Sequence, residues 1–228
     1  MENKKIVMSL GGSLIVPNGV DTDFIKGFVS LIKEYTQKGY RFVIITGGGK
    51  LARDFNQSLE VVTSPSSEDL DWMGISVTRA NAEFVRICFG DLAYEKVVQN
   101  PELIPETDRP IVVGGGWKPG NSSDLAAIRA AISSGSKRAI NLSNIDYVYD
   151  SDPKINKDAK KIEETTWDSF LALFPDTTWT PGKNSPFDPV ASIEAKQNNI
   201  EVAVINGKNF ESIKNYLDGI AFKGTIIK

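Results

Sequence analysis

The sequence contains no histidine, a single cysteine and no surplus of positive charge, and each shortage removes a class of chemistry. Without histidine there is no imidazole acid or base, no His-based triad and no histidine metal site. One cysteine, Cys88, permits neither an intramolecular disulfide nor a Cys metal cluster. It falls in the apolar run Phe84 to Phe89, where a buried packing thiol is expected. The formal net charge is -3, from 26 Lys+Arg against 29 Asp+Glu. With no long basic run, nucleic acid is not the main ligand, because phosphate backbones demand clustered Lys and Arg. No stretch approaches the roughly 20 apolar residues of a membrane span. The opening MENKKIVMSLGGSLIV lacks the apolar core and cleavage site of a secretory signal, so a cytoplasmic protein without a membrane partner is expected.

What remains is an ordinary globular composition, 41% apolar and 24% charged over 228 residues, enough for one large α/β core or two smaller ones. Apolar periodicity places strands near Lys5 to Leu10, Arg41 to Thr46, Pro110 to Gly114, Arg138 to Leu142, Glu201 to Asn206 and Thr225 to Ile227. Helical patterns fall between them. Phe24, Phe28, Leu31, Ile32 and Tyr35 form one apolar face, introduced at Asp21 to Asp23 and closed by Gly39. Leu51, Phe55 and Leu59 form another. A long helix is expected over Asp69 to Phe89, with Met73, Val77, Ala80, Phe84 and Ile87 on one side. Leu125, Ile128 and Ile132 follow a cap at Ser122 or Ser123 and end before Gly135. Asp188-Pro189 reads as an N-cap followed by an N1 proline. Strands alternating with such helices imply a mostly parallel sheet covered on both faces. The segments 63 to 69 and 175 to 189 are rich in Pro, Ser and Thr and read as surface loops, the longer a candidate lid.

Three glycine clusters each follow an expected strand: LGGS at 10 to 13, TGGGK at 46 to 50 and VGGGWKPG at 113 to 120. In a parallel sheet those strand ends open on one edge, where ligands of open α/β folds bind. Turns without a Cβ let phosphate approach backbone N-H groups closely. The P-loop pattern fails, because Ile44 stands where its first glycine belongs and Leu51 where Ser or Thr must hold magnesium. A dinucleotide frame fits in part through Gly47, Gly49 and Ala52. Its acidic ribose partner would fall near Glu68 to Asp71, away from a second strand's end.

The blocks GGS, GGGKLAR, DWMGISVTRANA, GGGWKPGNSSDLAA, NLSNIDYVYDSDPKINKDAKKI and DPVASIEA resemble, in order and spacing, the amino acid kinase superfamily, within it the archaeal-type uridylate (UMP) kinase branch. The likeness runs through almost the whole chain, to the closing GTIIK. It implies a three-layer αβα sandwich with a mostly parallel central sheet, in one domain over 1–228 with the acceptor site mainly N-terminal and the ATP site mainly C-terminal. It also implies transfer of the ATP γ-phosphoryl group to UMP with Mg²⁺, and homo-oligomers, dimers or hexamers built from them. Such chemistry needs positioning and charge neutralisation rather than histidine.

Residue by residue, the resemblance assigns Gly12, Ser13, Gly49 and Arg53 to the ATP phosphates and Gly48 to the UMP side. Asp71 would bind the acceptor's ribose or base, although the residue alone reads more simply as a helix cap. Trp117, Lys118, Pro119, Gly120, Asn121, Ser122 and Ser123 would wrap UMP, with the helix beginning near Ser123 aimed at its phosphate. Ser143 and Asn144 would lie beside the nucleotide, with Tyr149 and Asp152 under the adenosine; the residues 146 to 153 alone read as a turn with Asx caps. Asp188 would orient the catalytic groups while also serving as N-cap. Together with Lys50 and Arg53 it makes up the expected catalytic set.

The departures concern the acceptor and the cations. Many relatives carry lysine in the first strand where this chain has Ser9. The remaining cations for the γ-phosphoryl oxygens are Lys50, Arg53, Lys118, Lys183 and Mg²⁺. Tyr147 replaces a glycine near the adenine site, and Trp117-Lys118 replaces the common Thr-His. These changes leave two rivals to UMP phosphorylation: a sister kinase for another small phosphorylated or carboxylated acceptor, and a nucleotide-binding sensor or storage protein without turnover.

Overall fold

The computed structural model describes residues 4–153, 155–173 and 186–228. Its strands are β1 (Lys5–Leu10), β2 (Arg41–Thr46), β3 (Ile111–Gly114), β4 (Arg138–Ser143), β5 (Val148–Tyr149), β6 (Lys161–Ile162), β7 (Glu164–Thr165), β8 (Glu201–Asn206) and β9 (Thr225–Ile227). Its helices are α1 (Gly12–Ile15), α2 (Thr22–Gln37), α3 (Gly49–Val62), α4 (Ser67–Phe89), α5 (Ser123–Ser134), α6 (Trp167–Leu173), α7 (Pro189–Gln197) and α8 (Phe210–Leu217). Seven strands form one sheet in the order β3-β2-β1-β4-β8-β9-β7, with β5 and β6 in a small separate pair. Only β9 against β8 is antiparallel within the large sheet.

The alternation of side chains along each strand divides the core between the two faces. Ile6, Met8, Leu10, Phe42 and Ile44 pack with α2, α4 and α8. Val7, Val43, Ile45, Val112 and Val204 pack with α5, α6 and α7. The result is the three-layer αβα sandwich expected, with strands apolar on both sides because helices cover both.

Caps fix where the helices begin. Asp21 accepts from the Phe24 N-H at 3.0 Å, Ser122 from Leu125 at 3.0 Å and Asp188 from Ala191 at 2.8 Å, ahead of Pro189. The long helix α4 starts two residues earlier than the periodicity suggests, because Ser66 and Asp69 form a reciprocal capping box there.

Three helix faces differ from expectation. In α4 the inward face is Ile75, Val77, Thr78, Asn81, Ala82, Val85 and Phe89, whereas Ala80 and Ile87 point outward. Polar Thr78 and Asn81 sit on the buried face, so apolar spacing alone misjudges its phase. Helix α3 has the expected amphipathic pattern but no buried residue. Ile132 of α5 is likewise exposed. Segment 146 to 153 contains strand β5 rather than a turn alone. The expected lid at 175 to 189 falls largely outside the described residues, as does Lys183.

Candidate active site

The parallel register sets the C-terminal ends of the strands side by side: Leu10 opposite Thr46 and Leu142, Ile45 opposite Gly114, and Ser143 opposite Asn206. All three glycine turns therefore open on one rim. The first two are in backbone contact. A Cβ on Gly12 would lie 2.3 Å from the Gly47 carbonyl oxygen and 2.5 Å from the Gly49 nitrogen. A Cβ on Gly49, whose φ is +62°, would lie 2.2 Å from the Ser13 nitrogen. No other residue type fits that approach. The Gly47 N-H donates to Leu10 at 2.9 Å and the Gly11 N-H to Leu142 at 3.0 Å, tying both turns to the strand ends.

Helix α3 starts directly from the second turn, and its N-cap, Gly48, offers no side-chain cap. First-turn N-H groups are therefore not satisfied in the usual way, and with the helix dipole they favour an anion on the rim. The Lys50 N-H reaches the Ser13 hydroxyl at 3.1 Å, and Arg53 Nη2 approaches the same oxygen at 3.4 Å. Lys50 Nζ pairs with Asp54 at 2.6 Å, with both side chains half-exposed. Ser13, Gly49, Lys50 and Arg53 thus stand together at the junction of the turns.

The block Thr78 to Ala82 explains how the other turns are held. Thr46 Oγ1 donates to the Thr78 carbonyl at 2.8 Å, and Asn81 Nδ2 donates to the Gly47 carbonyl at 2.8 Å. The Gly116 N-H donates to Thr78 Oγ1 at 2.6 Å. Arg79 donates to the Gly116 carbonyl at 3.0 Å and the Trp117 carbonyl at 2.9 Å. Two turns earlier on α4, Asp71 Oδ2 accepts from the Gly120 N-H at 2.8 Å. This corrects the simpler reading of Asp71 as a cap: Ser66 and Asp69 do that work, and Asp71 is tied to the loop instead. Gly48 faces the same helix, where a Cβ would lie 3.6 Å from Gly74 and Thr78, and that Cβ would also meet Ala52 of α3 at 2.6 Å.

A residue that the sequence reading did not single out lies on the floor of the site. Asp124 Oδ1 accepts from Ser9 Oγ at 2.8 Å and from Asn141 Nδ2 at 3.3 Å, and its Oδ2 faces the Asp188 N-H at 3.3 Å. Burial pushes its pKa up to about 6; the Ser9 hydrogen bond opposes that shift and the nearby Asp188 charge adds to it. The available signal was the acidic residue at the second position of α5, after the Ser122-Ser123 pair, together with Ser9 at the strand position where the resemblance leads one to expect lysine. Asp188 sits beside it as the N-cap of α7. Ser123 approaches Gly47, with its Oγ 3.4 Å from where a Cβ on that glycine would be.

Of the remaining expected residues, Ser143 and Asn144 lie at the end of β4, and Tyr149 and Asp152 in and after β5 of the small separate pair. Ser143 ends β4, and its backbone carbonyl accepts from the Gly207 N-H at 2.9 Å; Asn144 follows it, exposed. Tyr149 is in β5, opposite Lys161. The Asp152 carbonyl accepts from the Ile155 and Asn156 N-H groups in the turn that follows. This small unit meets the large sheet where the Val148 N-H donates to Thr225 Oγ1 at 2.9 Å, and where Asn206, at the end of β8, donates to Asp146 at 2.8 Å. Lys118 lies over the Trp117 ring at 3.8 Å.

A covered parallel sheet with glycine turns and an uncapped helix N-terminus on one rim is a phosphate-handling α/β protein by construction. The chain belongs to the amino acid kinase family, whose profile matches residues 4–206. It is similar to the uridylate kinase of Thermococcus onnurineus, 30% identical over 98% of this chain and 99% of that one. The uridylate kinase of Methanocaldococcus jannaschii is 31% identical over 98% and 99%. Among solved structures it resembles uridylate kinase from Archaeoglobus fulgidus, with a TM-score of 0.83, 29% identity and coverage of 98% and 100%.

Two measurements test this geometry. Gly49→Ala should destabilise the protein by about 2 kcal/mol or more, since it adds a backbone clash to a left-handed conformation. Gly39→Ala, with φ +85° but open space around it, should cost about 1 kcal/mol; equal losses in denaturant titrations would contradict the contact. Because the folded pKa of Asp124 is raised, its ionisation opposes folding: the penalty is absent below the ordinary value of 3.8 and complete above about 6. The stability of the wild type minus that of Asp124→Asn should therefore fall by up to about 3 kcal/mol between pH 4 and 7. A difference independent of pH would refute the assignment.

Proposed function

We infer that the chain transfers the γ-phosphoryl group of ATP to UMP, giving UDP and ADP. The observation that carries this reading is the backbone contact between the Gly11-Gly12 and Gly47-Gly49 turns, with the loop 115 to 121 clasped alongside by α4. It provides adjoining cradles for two phosphate tails. The uridylate kinase relatives, matched over nearly their full length, supply the identity of the acceptor.

In this reading the ATP tail lies against Gly12, Ser13, Gly49 and Arg53, with its nucleoside towards Ser143, Asn144, Tyr149 and Asp152. UMP takes the other side, bounded by Gly48, Asp71 and the loop from Trp117 to Ser123, its phosphate aimed at the N-terminus of α5. The whole of 1–228 acts as one domain, with the acceptor half mainly N-terminal and the ATP half mainly C-terminal. Transfer proceeds in line between the two tails, and the protein contributes orientation and charge. Backbone N-H groups of the turns, Lys50 and Arg53 neutralise the oxygens that gain charge in the transition state. Lys50 leaves its exposed pairing with Asp54 at little cost, because such surface pairs contribute about 1 kcal/mol or less.

Magnesium enters as the ATP complex, supplying further charge neutralisation on the phosphate oxygens. Among the described residues no group of three or more acidic or cysteine ligands is placed to hold an ion, and Mg²⁺ commonly rides on substrate phosphates with one or two carboxylates. Asp188 is the carboxylate on the floor suited to that contact. No helix among the described residues is long and apolar enough to cross a membrane, and we place the reaction in the cytoplasm.

A panel of acceptors in an ADP-release assay tests the reading. UMP should be the preferred acceptor; another phosphorylated or carboxylated compound in its place would point to the sister kinase, and tight ATP binding without transfer to the sensor. Asp71→Ala should chiefly raise the KM for UMP and Asp152→Ala that for ATP; the reverse pattern would mean that the half-sites are exchanged.

The unburied face of α3 supports self-association. Phe55 is 45% exposed, Val61 87% and Val62 82%, and Trp72 and Ile87 of α4 add 42% and 60%. Apolar groups in this density on a pair of packed helices suit a second copy of the chain. Sedimentation should give a dimer or a hexamer built as a trimer of dimers, and Val61→Lys with Val62→Lys should shift it towards monomer; a monomeric wild type would end this proposal.

A further inference from the structure

Arg129 on α5 makes more of its guanidinium than a helix-to-helix ion pair requires. Nη2 and Nε meet Glu194 of α7 at 2.8 and 3.2 Å. Nη1 turns the other way, donating to Asn121 Oδ1 at 2.9 Å and approaching Glu102 at 3.7 Å. The guanidinium carbon lies 5.6 Å from the centre of the Trp117 ring, within cation–π range. Asn121 passes the contact on, its amide donating to the carbonyls of Lys118 at 3.3 Å and Pro119 at 3.1 Å. Both members of the ion pair are largely buried, with side chains 21% and 24% exposed.

The loop 115 to 121 is thus suspended between two supports. On one side Arg79 and Asp71 of α4 hold its two ends. On the other, Arg129 meets Asn121 and the Trp117 ring, reaches the carbonyls of Lys118 and Pro119 in its middle through the Asn121 amide, and ties the loop to α7, the helix that Asp188 opens beside Asp124. We propose that Arg129 is a positioning residue, which keeps the acceptor loop ordered and in register with the helix carrying Asp188. This rests on the acceptor-loop reading above. A planar fork can serve Glu194 and Asn121 at once; a lysine ammonium in its place serves one or the other. A loop ordered in advance spares the acceptor the cost of ordering it, so the effect belongs in acceptor binding more than in ATP binding.

The experiment compares Arg129→Lys, Arg129→Met and Asn121→Ala with the wild type. Thermal stability should be retained in Arg129→Lys, which keeps the pairing with Glu194. The UMP KM should rise about tenfold in all three, the loss of one charge-assisted hydrogen bond, while the ATP KM stays within about twofold. A purely structural ion pair would predict otherwise: wild-type kinetics in Arg129→Lys and Asn121→Ala, or both KM values rising together in step with lost stability. Either result overturns the proposal. Trp117 fluorescence, isolated by subtracting the Trp117→Phe partner of each protein, is measured without nucleotide. A changed signal in the Arg129 variants supports the proposal and an unchanged one overturns it. If the wild type phosphorylates no acceptor, that failure falls on the acceptor reading, and the fluorescence still decides whether Arg129 orders the loop.

Discussion

Everything at this site depends on two backbone bends approaching closely enough that neither can carry a side chain. Gly12 and Gly49 lie against each other with no room for a methyl group, and their neighbours Gly47 and Gly11 hang from the ends of β1 and β4 by main-chain hydrogen bonds. A contact made only of backbone is rigid and presents N-H groups rather than side chains to whatever lies above it. Such donors suit phosphate, because they need not reorganise when charge develops between two tails. The sheet register supplies the alignment, since parallel neighbours bring equivalent strand ends to one level.

Helix α4 converts that alignment into a site. A helix packed on a sheet normally turns an apolar stripe inward, but α4 spends two buried positions, Thr78 and Asn81, on hydrogen bonds to the second and third turns. Buried polar groups are tolerated when satisfied, and these serve the turns directly. Arg79 and Asp71 extend the same service to the loop beyond Gly116. The capping box at Ser66 and Asp69 thereby has a second consequence. By fixing where α4 begins, it fixes which residues face the turns.

The strands and most helix ends were legible because they rest on local chemistry: apolar runs, Asp21, Ser122 and Asp188 as caps, and glycines at the strand ends. The co-location of the three turns also followed from sequence, since parallel topology leaves one rim to choose. What escaped was whatever depends on contacts between distant segments. The buried phase of α4 was misjudged because polar residues face inward there. The apolar pattern of α3 could not reveal that its own chain covers that face only in part, leaving Leu51 and Leu59 half-buried and Phe55 exposed. Strands β5, β6 and β7 are two residues each, too short to show a period. Asp124 went unread because its meaning lies in Ser9, Asn141 and Asp188, which the fold alone brings together.

Ser9, at the strand position where the resemblance leads one to expect lysine, pairs with Asp124 instead. A lysine there would neutralise the buried carboxylate and add charge near the transferring group. Serine keeps the carboxylate hydrogen-bonded but leaves it uncompensated, and burial raises its pKa to about 6. An anion so placed repels incoming phosphate, so it is tolerable only if positive charge arrives from elsewhere. The turn N-H groups, the dipoles of α3 and α5, and the side chains of Lys50 and Arg53 lie on the rim. On the reading proposed above, the fixed positive charge of the site belongs to Lys50 and Arg53 rather than to β1. The floor is left to Asp124 and Asp188, whose mutual hydrogen bond sets α7 against α5.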